Sequence, residues 1–202
     1  MPSQDRLPKV LTDEEIEAFL AEFNHRYVTP HRNWLLCRLM LEAGLRSAEV
    51  RSLRPAHLDL NTGKLMVREG KGAKDRVLWL NQDLREAVGD WLERRAEWLN
   101  EPQDCPWLLP TRHVTKVKGG YLRRMVKRTA RDAGVQEAER VSPHNLRHTA
   151  ATRLLADGAN LRVVQEVLGH ASVETTERYT HLVNDEVESA MKGMARPGDS
   201  AA

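Results

Sequence analysis

His144-Asn145-Leu146-Arg147 opens a helix, so His144 and Arg147, three residues apart, share one face. Both fall in its first turn, where backbone N–H groups without helical partners already favour an anion. Leu168-Gly169-His170 closes the next helix, and the glycine lets the chain turn sharply and present His170. Tyr179 follows nine residues later, in Thr175-Thr176-Glu177-Arg178-Tyr179-Thr180-His181. In the first half, Gly44-Leu45-Arg46 sets an arginine just past a helix end, and Gly70-Lys71-Gly72 sets a lysine on a hairpin tip. Two guanidiniums, two imidazoles, an ammonium and a phenol suit work on a phosphate. Arginine forks onto phosphate oxygens better than lysine does. A phenol, with a pKa near ~10, is a poor nucleophile at neutral pH without a base or a positive field.

Each residue taken singly also has a plain structural reading. A lone tyrosine on a helix is more often half-buried than nucleophilic, and His144 with Arg147 could cap a helix start. His148, four residues after His144, gives the spacing of a metal pair. The intervening residues lack the glutamate of a zinc-protease helix, and no third ligand is evident, so no metal is expected. His148 and His181 are read as hydrogen-bonding structurally. Lys74 lies close to Lys71, and of the two Lys71 is preferred. The five tryptophans sit at core or rim spacing.

The elements that must position these groups are legible from local signals. Thr12-Asp13-Glu14-Glu15 is a capping box, followed by Ile16, Phe19, Leu20 and Phe23 at helical spacing. A second helix runs through Trp34 to Leu41 and stops at Gly44. Ser47 is placed to cap a short third helix that ends before Pro55. Between residues 57 and 80 the texture changes: turns at Asn61-Thr62-Gly63 and Gly70-Lys71-Gly72 separate strand-like Lys64–Arg68 and Val77–Leu80. The remainder reads as helices: Leu84–Trp98, Gly120–Ala133, one from Ser142-Pro143 to near Gly158, and Leu161–Leu168 capped by Asn160. Ser172 caps a helix with Tyr179, and Asn184 opens a last one. The expected fold is mainly helical (α+β), with a small antiparallel three-stranded sheet. A leader spans 1–9, one domain 10–194, and a disordered tail 195–202.

Of the 202 residues, 41% are hydrophobic, enough for a packed core. The net charge of +2 announces no nucleic-acid partner. Its distribution is uneven: Arg112 to Arg131 contains eight Lys or Arg and no acid. Arg123, Arg124, Lys127, Arg128 and Arg131 recur at helical spacing, giving either a solvated face or one that tracks phosphates. Two isolated cysteines exclude a disulfide framework. No apolar run approaches the ~18 residues of a membrane span, so a soluble, cytoplasmic protein is expected.

Taken together, the pieces resemble the tyrosine recombinases, or phage-integrase-type recombinases. The matching pieces are Leu11-Thr12-x-Glu14-Glu15, Gly44-Leu45-Arg46 with Glu49, Gly70-Lys71-Gly72 with Lys74 and Arg76, His144-x-x-Arg147-His148-Thr149, Leu168-Gly169-His170 with Ser172, and Thr175-Thr176 before Tyr179. They span roughly residues 10–190 in the family's order. The resemblance implies a DNA breaking-rejoining enzyme that needs neither metal nor nucleotide cofactor and acts on double-stranded DNA. It implies that Arg46, Arg147 and His170 contact the scissile phosphate, Lys71 protonates the leaving 5′ oxygen, His144 assists proton removal, and Tyr179 forms a 3′-phosphotyrosyl link. It also implies a tetramer on synapsed sites and a monomer when free. Family members commonly carry a further N-terminal helical domain that clamps the other face of DNA. Few residues precede the match here, so an excised fragment or a minimal form is expected. Ala48 stands where the family often has serine. The rival readings are a catalytically silent DNA-binding accessory protein and a type IB topoisomerase-like nicking and resealing enzyme. Nothing chooses among integration, excision, dimer resolution and cassette shuffling.

Overall fold

The computed structural model describes residues 8–68 and 75–169. The first helix, α1 (Asp13–Ala21), starts on the expected capping box: Thr12 Oγ1 accepts from the Glu15 N–H, and Glu15 Oε2 accepts from the Thr12 N–H. Two such bonds satisfy donors that a helix start otherwise leaves open. Helix α2 (Val28–Glu42) is buried along most of its length, with Leu35, Leu36, Cys37, Leu39 and Met40 fully inside. It is the hub of the fold and packs on α3 (Ser47–Ser52), α4 (Gln82–Trp98) and α6 (Pro143–Ala156). Gly44, with φ +63°, makes the turn between α2 and α3.

Strands β1 (Leu58–Asp59), β2 (Lys64–Val67) and β3 (Arg76–Trp79) form one antiparallel sheet in that order, as expected. Opposite β2, Leu78 pairs with Leu65 and Arg76 with Val67. The alternation sends Leu65, Val67 and Leu78 into the core and leaves Met66, Val77 and Trp79 exposed. Residues 69–74, with the expected hairpin tip, lie outside the described residues.

Helix α5 (Gly119–Asp132) is held by two arginines, Arg32 buried and Arg51 half-buried. Arg32 on α2 donates to the Pro110 carbonyl (2.9 Å) and to Asn33 Oδ1 (2.7 Å), and Asn33 in turn donates to the Tyr121 hydroxyl (2.9 Å). Arg51 donates to the Val117 carbonyl at 2.9 Å. Helix α7 (Leu161–Leu168) is capped by Asn160, as expected, and packs through Val164 and Leu168 on Ala151 and Leu155 of α6. Among the described residues no helix is long and apolar enough to cross a membrane.

Candidate active site

One of the sequence's local expectations shifts where the site begins. Ser47 was expected to cap α3, yet it is the first helical residue and Arg46 is the cap. The reason is Glu49, whose carboxylate takes the Arg46 N–H at 2.7 Å and its guanidinium Nη1 at 2.8 Å. Arg46 is therefore held at both its backbone and its side chain by an acid three residues on.

A second arginine reaches the same acid from the sheet. Arg76 on β3 donates Nη1 to Glu49 Oε1 (3.0 Å) and Nη2 to Oε2 (2.9 Å), a two-pronged pair. Arg147 on α6 approaches with Nη1 at 3.8 Å from Glu49 Oε2 and donates that nitrogen to the Gly44 carbonyl at 2.7 Å. Burial alone would raise the Glu49 carboxyl. The hydrogen bonds from Arg76 and Arg46 outweigh it and hold the group at about 2. Glu49 is thus a fixed anion beneath three cations, leaving positive charge in excess.

The same three arginines grip the end of α7. Val167 O accepts from Arg76 Nε (2.9 Å), Leu168 O from Arg147 Nη2, and Gly169 O from Arg46 Nη2. Carbonyls at a helix C-terminus lack helical donors and carry partial negative charge, so cations belong there. Gly169 turns the chain with φ +62°, as expected of the residue before His170. A Cβ at Gly169 would meet Arg76 Nη1 at 2.8 Å, so any other residue there would displace the guanidinium. Among the three arginines, the Arg46 side chain is 37% exposed and those of Arg76 and Arg147 are 9% and 6%. A substrate arriving from solvent therefore meets Arg46 first.

His144 and His148, one turn apart on α6, face each other with 2.7 Å between their Nε2 atoms. One of the two nitrogens must carry the hydrogen, so each ring constrains the tautomer of the other. His144 and Arg147 do share the first turns of one helix, as their spacing predicts. Lys71, His170 and Tyr179 lie outside the described residues. The sequence named Glu49 and Arg76 only as parts of a pattern and gave them no role. The acid three residues after a helix-leading arginine was the available signal for Glu49; for Arg76 there was none. Among the described residues no group of three or more His, Cys, Asp or Glu could hold a metal ion.

The basic face of α5 is divided by an acid. Lys127 and Arg131 are paired with Glu139, which the turn after the helix brings back onto it (2.7 Å for Lys127). The Glu139 carboxyl is lowered to about 2 by those two cations. Arg123, Arg124 and Arg128 are exposed, with no ion pair among the described residues, so the open charge lies on these three.

Residues 9–186 match the model of the phage integrase family. The chain is 39% identical to tyrosine recombinase XerD of Caulobacter vibrioides over 184 residues, covering 89% of this chain and 59% of that protein. It is 35% identical to tyrosine recombinase XerA of Thermococcus kodakarensis, covering 92% and 62%. The chain thus spans about three-fifths of these relatives' length. Among solved structures, XerA recombinase superposes with a TM-score of 0.78 at 30% identity, over 96% of this chain and 67% of that one. The XerH site-specific recombinase in a post-cleavage complex with a palindromic difH substrate gives 0.78 at 31%, over 93% and 54%. The catalytic domain of bacteriophage HP1 integrase, at 23% identity and TM-score 0.63, shares the fold over 97% of this chain and 99% of its own.

Proposed function

Because the chain belongs to the phage integrase family, we propose that it is the catalytic domain, over residues 10–194, of a site-specific recombinase that cleaves and rejoins double-stranded DNA through a 3′-phosphotyrosyl intermediate. The observation that carries this reading is the cluster of Arg46, Arg76 and Arg147 built around Glu49 and the end of α7, with Arg46 the most exposed of the three. Cations fixed before substrate arrives cost no reorganisation when charge develops on a phosphorane, and one such arginine is worth roughly 10³–10⁵ in rate.

In this reading Arg46 and Arg147, with His170, stabilise the non-bridging oxygens of the scissile phosphate. His144 assists proton removal from Tyr179, whose phenolate attacks phosphorus. The P–O bond to the 5′ oxygen breaks, and Lys71 supplies the proton that the departing alkoxide takes up. The covalent link conserves the phosphoester, so a 5′-hydroxyl from another strand reseals it without a nucleotide cofactor. Exposed Arg123, Arg124 and Arg128 contact the DNA backbone. Chains act as a tetramer on paired sites and are single when free.

Trapping on nicked suicide duplexes drawn from the DNA flanking its own gene tests the reading, with wild type beside Tyr179→Phe. The expected result is a protein–DNA adduct that survives denaturant and is absent from the variant. Duplexes that bind without giving an adduct, or an adduct that persists in Tyr179→Phe, would overturn it.

A further inference from the structure

Three consecutive carbonyls end α7, and each is taken by a guanidinium from a different element: Val167 by Arg76 of β3, Leu168 by Arg147 of α6 and Gly169 by Arg46 of α3. Arg46 and Arg147 already have roles in phosphate stabilisation. Arg76 has none, yet it joins the sheet to both α3 and α7. Its Nη1 and Nη2 occupy both oxygens of Glu49, its Nε holds the last turn of α7, and its side chain is 9% exposed. It also lies flat against Gly169, where a Cβ would stand 2.8 Å from Nη1.

We propose that Arg76 is a positioning residue for strand cleavage: by clamping Glu49 to the end of α7 it fixes the reach of Arg46 and the conformation of the chain at Gly169. The inference rests on the recombinase reading for its consequence, though not for the clamp itself. A planar fork is what the arrangement requires. Both carboxylate oxygens and a carbonyl lie around one guanidinium, and a lysine ammonium, a point charge on a flexible stem, cannot hold all three in one plane. Without the clamp, Glu49 keeps Arg46 and a more distant Arg147, and among the described residues nothing else from the sheet is seen to tie α3 to α7 through this carboxylate. Displacing a catalytic group by about 1 Å costs on the order of 100-fold in rate.

Arg76→Lys and Arg76→Gln separate positioning from mere stability. Expected for Arg76→Lys is a thermal midpoint near wild type, unchanged affinity for the suicide duplex, and an adduct-formation rate down about 100-fold. A folded Arg76→Lys that cleaves at the wild-type rate overturns the proposal. A DNA-free readout keeps it distinct from the recombinase reading. Among the described residues the charged groups facing Glu49 are Arg46 at the cap of α3, Arg76 from β3 and Arg147 from α6. Carbon-13 titration of the Glu49 carboxyl should therefore move upward in Arg76→Gln, and the Gly169 amide resonance should shift. If wild type gives no adduct on any duplex, the recombinase reading falls, and these two signals still decide the clamp. Both unchanged would overturn it. Should Arg76→Gln not fold, the same signals in Arg76→Lys carry the decision.

Discussion

Glu49 shows how one buried acid can set the properties of its neighbours. It is 9% exposed and accepts from two arginines, with a third 3.8 Å away. Replacing it by glutamine puts an amide, itself a donor, among cations that then lack their counter-charge. Breaking a buried pair by removing one partner costs on the order of 3–5 kcal/mol, and that is the destabilisation expected of Glu49→Gln in urea unfolding. The pH dependence has a definite sign. The folded carboxyl is depressed to about 2, below its unfolded value of roughly 4.3. Its contribution is therefore present in full above the unfolded value and lost as pH falls toward the folded one. The stability gap between wild type and Glu49→Gln should be constant near neutrality and narrow across that acid window. A gap that stays the same throughout would mean that the carboxylate's charge does not support the arginines.

At the scale of elements, α7 depends on how it ends. Gly169→Ala places a side chain at φ +62° and also drives a Cβ to 2.8 Å from the Arg76 guanidinium. Gly134 supplies a control: its φ is +67° with nothing within 4 Å of a Cβ. The left-handed conformation costs an alanine roughly 1–2 kcal/mol. Gly134→Ala should lose about that much, and Gly169→Ala measurably more by chemical denaturation. Equal losses would show that Arg76 yields without cost. The same helix marks the boundary of what the sequence reveals. Asn160 as its start and Gly169 as its end follow from rules that act within a few residues, as does the Thr12 box on α1. Starts read at Leu84 and Gly120 fall at Gln82 and Gly119, an ordinary displacement of helix ends. At two residues, β1 is too short for any alternation to show. What the sequence could not yield is contact between elements. Arg76 reaches Glu49 across 27 positions and Val167 across 91, and no periodicity encodes either. Arg46, Arg147 and His144 were identifiable by type and spacing; Glu49 and Arg76, which organise them, were identifiable only as parts of a pattern.

Over the whole molecule, a net charge of +2 hides a strongly uneven surface. Eight cations between Arg112 and Arg131 read in sequence as one uninterrupted basic stretch. In the fold, Glu139 returns to Lys127 and Arg131 and divides it. Such exposed pairs contribute little to stability, typically ~0–1 kcal/mol. Their consequence is electrostatic and local: within a Debye length of ~8–10 Å, a carboxylate offsets much of what those two cations offer a phosphate. Arg123, Arg124 and Arg128 have no such acid among the described residues. Each phosphate neutralised contributes about 0.9 to the slope of log affinity against log salt. If the open part of α5 lies on DNA, Arg128→Gln should lower the slope on a random-sequence duplex by close to that amount. Arg131→Gln should change it by much less, and Glu139→Gln should strengthen binding at low salt by releasing two cations. Fluorescence anisotropy across a salt series measures all three. Equal losses from Arg128→Gln and Arg131→Gln would mean that Glu139 lets go when DNA arrives and that the whole length of α5 is engaged. No loss from either would place the DNA on another face of the domain, with the Arg46 cluster reached from there.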